Sequence, residues 1–352
     1  MRKNFLTPRM INVLVPVLSA VFGLIIGAIV MVVSGYDPVA GYSALWEGMF
    51  GTPRATGETI RTMIPLVLAG LSVAFAFRTG LFNIGVEGQL LVGWLAAVWV
   101  GYALDLPPVI HIPLSIMAAV LAGGLWGFVP GYLKGKFKVN EVIVTIMMNY
   151  IALYVTYDLI KRFLHAGNEK SHNVKESASL VSAFLSDLTG GSRLHWGIIV
   201  ALIAALIMWF ILERTTLGYE LKSVGFNQHA SQYAGMKVSR NVVVSMAIAG
   251  AFAGVGGAME GLGTFQNMTA MSSFTGIGFD GIAVALLGAN NAFGIVLAAL
   301  LFGGLKSAAP QMNFAANVPS ELINVIIACI IFFVACSYVL RWALSRFSKE
   351  GK

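Results

Sequence analysis

The chain has 352 residues, of which 57% are hydrophobic and 11% are charged, and its formal net charge at pH 7 is +7. A soluble domain carries roughly a quarter charged residues, so this composition excludes an ordinary soluble protein and predicts many membrane-spanning helices. The positive net charge does not indicate a nucleic-acid partner, because the membrane topology derived below accounts for it.

Ten apolar runs predict the helices. The first, Met10–Val33, is too long for the core of a signal peptide and lacks a small-residue cleavage site, so we expect a retained helix. A polar connection over residues 34–59 follows it. The run Phe279–Gly288 is too short to cross a bilayer, which predicts a half-helix, or a helix joined to the next run with a break at Gly288–Asn291. The other runs are Ile60–Phe77, Gly85–Tyr102, Val109–Gly131, Glu141–Ile160, Trp196–Leu212, Asn241–Gly263, Ala292–Ser307 and Ser320–Trp342.

These runs predict an all-α polytopic membrane protein with about nine or ten transmembrane or half-spanning helices, as one domain over residues 1–352. The positive-inside rule places both termini in the cytoplasm, where 15 of the 23 basic residues then lie. Residues 213–240 form the longest charged interval on that side. Residues 165–195 form an extracytoplasmic segment, and its amphipathic centre, Ala178–Leu188, predicts a short surface helix. This segment is a cap, a contact for an outside partner or a solvated connector.

Two short segments, Ile84–Gly88 and Ile277–Gly281, share the pattern Ile-Gly-x-acid-Gly and predict an internal repeat. Each follows a break and opens an apolar run, and broken helices in corresponding halves of a transporter indicate its translocation path. Their acids, Glu87 and Asp280, lie in first turns, where free N–H groups favour a carboxylate. The two acids either orient re-entrant segments or line a water-filled path.

Four other polar side chains lie in or beside apolar runs: Asn83, Gln89, Asn149 and Tyr150. A buried amide needs a partner, which is either a neighbouring helix or a polar solute. Bonding between helices is the simpler role for each residue alone, whereas the group is typical of a path for a neutral polar solute. With Glu87 and Asp280, these residues are the pathway candidates.

Motifs of catalysis are absent from the sequence. It contains no G-x-x-x-x-G-K-[ST], no H-E-x-x-H, no G-x-S-x-G and no Cys/His cluster with metal-ligand spacing. We therefore predict no enzyme activity, catalytic residue, metal site or cofactor in this chain. Glycines at positions 250 and 254, and at 257 and 261, instead predict tight packing of one spanning helix within the chain or across a dimer.

The interval 213–240 contains a predicted short helix, Gln228–Ala234. Asn227 is placed to cap its start, and Gly235 can end it in a left-handed conformation. The residues before it, Gly225–Asn227, are predicted as a turn. A capped helix held between two spans is either a docking element for a partner protein or an ordinary connector.

Three motifs, in this order along the chain, resemble those of ABC importer permeases of the branched-chain amino acid, ribose and nucleoside group. Leu81–Gln89 resembles the F-N-I-G-x-E-G-Q signature of that group, and Asn140–Tyr150 is similar to a segment of its nucleoside permeases. The interval 213–240 resembles its ATPase-coupling loop, through Thr216, Leu217, Gly218, Gly225, Phe226, Asn227, Ala230, Gly235 and Met236.

The resemblance implies a bacterial plasma-membrane importer of four or five parts. Two permease subunits, often two different chains, form the path among the membrane lipids. Cytoplasmic ABC ATPase domains bind ATP and Mg, and an extracytoplasmic substrate-binding lipoprotein delivers the solute. This chain would supply the path for nucleosides and the ATPase-docking residues Gly225, Asn227, Gln228, Ala230, Ser231, Tyr233, Ala234 and Gly235.

At Ser231 the related loops often have a second alanine, and serine is small enough for docking to persist. Two alternatives to the nucleoside importer remain. One is a permease of the same group for ribose or another simple sugar. The other is a secondary transporter driven by an ion gradient, which would use buried carboxylates as ion sites and need no docking loop.

Overall fold

The computed structural model of the chain describes residues 8–167 and 169–336, and the regular elements of these residues are helices. Eight of the described helices are long and apolar enough to span a membrane, and two shorter apolar helices accompany them. The prediction of an all-α polytopic membrane protein is confirmed.

The N-terminal part contains α1 (Pro8–Val33), α2 (Pro38–Phe50) and α3 (Pro53–Arg78). The prediction of a polar connection over residues 34–59 is therefore wrong, because α2 and the first turns of α3 occupy most of it. Both α2 and α3 begin with a proline that follows a capping side chain. Asp37 accepts a hydrogen bond from the backbone N–H of Val39, and Thr52 accepts one from that of Ala55.

Three further spans lead to the predicted extracytoplasmic segment: α4 (Val86–Ala103), α5 (Pro108–Phe137) and α6 (Glu141–Leu159), which continues as one π-helical turn to Leu164. The segment itself carries a 3-10 turn at Glu176–Ala178 and the short helix α7 (Ala183–Leu188). The predicted surface helix thus exists but is shorter than Ala178–Leu188.

The C-terminal half contains α8 (Gly197–Arg214), α9 (Thr216–Phe226), α10 (Gln228–Tyr233), α11 (Val238–Met259, with a π-helical turn to Thr264), α12 (Ile277–Leu287), α13 (Ala292–Ala316) and α14 (Glu321–Ala335). The run predicted to end at Trp342 extends beyond residue 336, so its end lies outside the described residues. The short helix α12 is separate from α13, and residues 289 and 290 between them have left-handed φ angles of 52° and 53°.

The helices α3, α4 and α11 form the centre of the protein, because most of their residues are buried, whereas only a minority of the residues of α5 and α8 are buried. Glycines allow α11 to touch its neighbours backbone to backbone. A Cβ atom built on Gly254 would lie 2.2 Å from the carbonyl oxygen of Ala119 in α5, and one on Gly257 would lie 2.1 Å from that of Leu90 in α4. The tight packing predicted for these glycines is therefore within the chain.

Two helices begin near the middle of the protein rather than at its edge. The helix α12 lies along the second half of α3, since a Cβ atom on Gly281 would be 2.6 Å from the Cβ of Ala69. The helix α4 begins after the non-helical residues 81–84, and a Cβ atom on Gly278 would lie 2.4 Å from the backbone nitrogen of Glu87. The two repeated motifs thus bring two helix N-termini together, as expected of paired broken helices.

Candidate functional site

The carboxylate of Glu87 is fully buried at the junction of α4 and α12. Its Oε1 accepts hydrogen bonds from the backbone N–H of Thr275 (2.6 Å) and Gly276 (3.0 Å) and from the Thr275 hydroxyl (2.6 Å). Its Oε2 accepts one from the N–H of Gly278 (2.6 Å). Four donors and the positive end of α12 therefore compensate the charge. Glu87 lies in the first turn of α4, as predicted, but it caps the other helix.

Asp280, in the first turn of α12, forms an ion pair with Lys306, which lies near the middle of α13. Their side chains are 18% and 30% exposed, respectively, so the pair is open on one side. Lys306 was not among the sequence candidates. A lysine inside an apolar run was the signal for it, because such a charge needs a partner in a membrane protein.

Three of the predicted polar residues, Asn83, Gln89 and Asn149, are buried and hydrogen-bonded within the chain. Asn83 donates to Gln89 Oε1 (3.0 Å) and accepts from the N–H of Gly85 (3.0 Å). Asn149 accepts from the N–H of Gly88 (2.8 Å) and donates to the carbonyl of Ile84 (2.9 Å). These amides bond to backbone groups of the non-helical segment that leads into α4, as irregular backbone at membrane depth requires.

Tyr150 differs from the other candidates because its side chain is 47% exposed. Its ring meets that of Phe274 edge to face, with the centroids 5.1 Å apart, and Phe274 meets Phe279 in the same way at 5.9 Å. Phe279 is 41% exposed. We refer to Tyr150, Phe274 and Phe279 as the aromatic cluster.

A second buried polar group lies at the C-terminal end of α11. The Nδ1 atom of His195 accepts from the N–H of Gly197 (3.1 Å), and its Nε2 lies 3.4 Å from the hydroxyl of Thr264, which donates to Glu260 (3.3 Å). Burial lowers the pKa of His195 to about 4, and the positive charge of Arg61 adds to this effect. His195 is therefore neutral at pH 7.

The predicted docking interval is largely helical. As predicted, the side chain of Asn227 caps α10 by accepting from the N–H of Ala230 (3.0 Å), and Gly235 has a left-handed φ of 84°. The helix ends at Tyr233, with Ala234 as its C-cap. The predicted turn at Gly225–Asn227 is wrong, because residues 225 and 226 form the last turn of α9.

The docking candidates fall into two groups. The side chain of Ser231 is buried, and Gly225 contacts α3, since a Cβ atom there would lie 2.3 Å from the carbonyl oxygen of Arg78. Gly225 is nevertheless exposed on its other side, as are the remaining candidates Asn227, Gln228, Ala230, Tyr233, Ala234 and Gly235. Tyr233 is 94% exposed and Phe226 is 91% exposed. Phe226 was not selected from the sequence as a docking residue. A lone phenylalanine in a polar interval was its signal.

The family described as "Branched-chain amino acid transport system / permease component" matches residues 55–335. The chain belongs to this permease family. The match covers every helix from α4 to α14 and most of α3. It confirms the family resemblance that the three motifs indicated, and it agrees with the eight apolar helices of the described residues.

Curated relatives match the chain over most of its length. It is 59% identical to the guanosine ABC transporter permease protein NupP of Bacillus subtilis, over 97% of this chain and 99% of the relative. It is 42% identical to the nucleoside ABC transporter permease protein NupB of Lactococcus lactis, over 95% and 94% of the two chains. The identity is 33% to the glucose ABC transporter permease protein TsgB13 of Haloferax volcanii, over 92% and 87%. All three are named as permease proteins.

Proposed function

We propose that this chain is a permease subunit of a bacterial ABC importer and forms part of the translocation path for nucleosides. The observation that carries this proposal is the 59% identity to a guanosine permease over nearly all of both chains. A second relative named for nucleosides is 42% identical, whereas the relative named for glucose is 33% identical. The order of these identities favours nucleosides over simple sugars.

The geometry of the junction supports a path for a neutral solute driven by ATP. Broken helices that meet near the middle of a membrane domain are typical of transporter pathways. An ion-driven transporter would need carboxylates free to bind the ion. Here Glu87 already accepts four hydrogen bonds, and Asp280 already pairs with Lys306.

The proposed partners follow from the exposed surfaces. Two aromatic rings that stand in solvent, Phe226 and Tyr233, suit burial against a partner protein. We assign the surface of α9 and α10 to a cytoplasmic ABC ATPase, which binds ATP and Mg. A second permease chain completes the path, and a substrate-binding lipoprotein delivers solute on the side of residues 165–195. Both termini then lie in the cytoplasm.

Uptake by the assembled complex tests this function. The chain is expressed with the ATPase, the second permease and the binding protein of the proposed complex, in a host that lacks nucleoside uptake. We expect saturable uptake of labelled guanosine that requires the ATPase and is unaffected by excess ribose or glucose. Competition by either sugar would support the sugar alternative. Uptake that persists without the ATPase and stops with an ionophore would support an ion-driven transporter.

A further inference from the structure

We propose that the aromatic cluster, together with the ion pair between Asp280 and Lys306, is the surface of the path that contacts the base of a nucleoside. This assignment rests on the proposed function and adds the residues that recognise the substrate inside the membrane. It concerns Tyr150, Phe274 and Phe279 as ring contacts, and the ion pair as a polar contact.

The ion pair indicates that this surface does not face lipid. Asp280 precedes Gly281, which contacts Ala69 near the middle of α3, and Lys306 lies near the middle of α13. A charge at the centre of a spanning helix costs about 2.5–3.5 kcal/mol when it meets hydrocarbon. Because both side chains are partly exposed, their open side must meet water or another protein chain.

The composition of the surrounding surface agrees with this conclusion. Phe279 directly precedes Asp280, and the exposed Ser272 and Ser273 directly precede Phe274. Aromatic rings, hydroxyls and one member of the ion pair therefore lie within a single short stretch, residues 272–280. The exposed side chains in the middle of α8 are apolar throughout, as expected for a helix that faces lipid: Ile199, Leu202, Ile203, Leu206, Ile207 and Phe210.

The buried hydrogen bonds hold the three rings in place. Tyr150 follows Asn149, whose amide binds the backbone at Gly88 and Ile84. Phe274 precedes Thr275, and Phe279 follows Gly278, and both of these neighbours donate to Glu87. Each ring thus stands beside a residue that the buried network fixes, which gives the network a positioning role.

The chemistry of the surface fits a nucleobase. Stacking of a base on an aromatic side chain is worth about 1–3 kcal/mol and tolerates different bases, because every base has a π-face. A carboxylate and an ammonium group beside the rings supply an acceptor and donors for the polar edge of the base. Simple sugars have no such π-face and would gain less from the rings. Contacts of this modest strength also allow release of the substrate.

Substitution of the exposed rings in the full importer tests the assignment. We expect Phe279→Leu and Tyr150→Leu each to lower the rate of guanosine uptake at subsaturating concentration about tenfold, the equivalent of losing about 1.4 kcal/mol of stacking. Phe279→Tyr should retain most of the rate, because it keeps a ring. The ATPase activity stimulated by the loaded binding protein should persist, which a general folding defect would not allow. The matched control is Phe210→Leu on the lipid face of α8, with an unchanged rate.

Unchanged guanosine uptake in the double variant Phe279→Leu/Tyr150→Leu would overturn the assignment while leaving the proposed function intact. Absence of guanosine uptake by the wild-type complex would instead remove the proposed function. Thiol labelling provides a test that does not depend on the transport rate. With Cys329 and Cys336 changed to serine, the variant Phe279→Cys should react with a charged methanethiosulfonate, and guanosine should slow the reaction. A lack of reaction would place the cluster against lipid and overturn the assignment.

Discussion

The carboxylate of Glu87 is buried and accepts four hydrogen bonds, so its charge is stabilised by its neighbours rather than by water. We expect Glu87→Gln to destabilise the protein by about 2–4 kcal/mol, since the amide turns an NH₂ group towards N–H donors and leaves them unpaired. The melting temperature of the purified complex should fall accordingly. Glu47→Gln, at an exposed position of α2, serves as the control. Equal melting temperatures for the two variants would contradict the capping role.

His195 makes stability depend on pH. Its pKa is about 6.5 in the unfolded chain and about 4 in the folded protein, so the unfolded state binds more protons between these values. Stability therefore falls as the pH is lowered from about 6.5 to about 4, by up to about 3 kcal/mol. Melting temperatures measured across this range should decline less steeply in His195→Asn than in the wild type. His229→Asn, at an exposed position of α10, should follow the wild-type slope.

The sequence identified the polar residues of the junction but not their partners. Asn149 was a candidate because an amide stood inside an apolar run, yet its partner Gly88 is 61 residues away and comes close only in the fold. Side-chain exposure was equally hidden. The sequence places Ser231 and Tyr233 in one short helix, and only the packing of α10 shows that the first is buried and the second is exposed.

At the scale of elements, α9 and α10 present two rings to the proposed ATPase. We expect the double variant Phe226→Ala/Tyr233→Ala to lower both the amount of co-purified ATPase and the rate of guanosine uptake at least tenfold, because truncation of a central aromatic contact costs about 2 kcal/mol or more. Expression of the permease should be unchanged. Phe184→Ala removes an exposed ring from α7, at the other end of the protein, and should leave the amount of co-purified ATPase unchanged. Normal co-purification of the double variant would exclude these rings as docking contacts.

The contact between α5 and α11 requires a glycine at position 123 of α5 but not at position 124. A Cβ atom on Gly123 would lie 2.4 Å from the carbonyl oxygen of Gly250, whereas one on Gly124 has no neighbour closer than 3.4 Å. We expect Gly123→Ala to reduce the yield of folded protein strongly and Gly124→Ala to have little effect. Size-exclusion chromatography of the two variants in detergent measures this difference. Similar yields would show that α5 shifts without cost.

Apolar runs predicted the membrane-spanning elements well and their ends poorly. The run predicted to end at Gly131 continues as α5 to Phe137, because lysines interrupt the hydrophobicity without interrupting the helix. The helix stops where Lys138 takes a left-handed φ of 57°. Likewise α2 was missed because its sequence is too short and mixed to mark a span, although Asp37 and Pro38 are strong helix-start signals.

For the whole molecule, the proposed topology places the C-terminal end of α5 in the cytoplasm and the segment 165–195 outside the cell. Lys136 lies at the same end as the start of α11, since its neighbour Gly135 contacts Ser239, and Glu176 lies in the segment 165–195. In a background with Cys329 and Cys336 changed to serine, Glu176→Cys should react with an impermeant maleimide in intact cells. Lys136→Cys should react only after permeabilisation. The reverse pattern would invert the topology.

The contact between Gly225 and α3 connects the proposed docking surface to the membrane part. Small displacements between packed elements are normally absorbed by rotamer changes, but here a Cβ atom would already lie 2.3 Å from the carbonyl oxygen of Arg78, so main chain meets main chain. Arg78 in turn donates to the carbonyl of Asn290, in the left-handed turn between α12 and α13 (3.0 Å). The linkage from α9 to this turn is therefore short and stiff. If α9 and α10 dock an ATPase as proposed, we expect a displacement there to be passed through this linkage to the C-terminal end of α12.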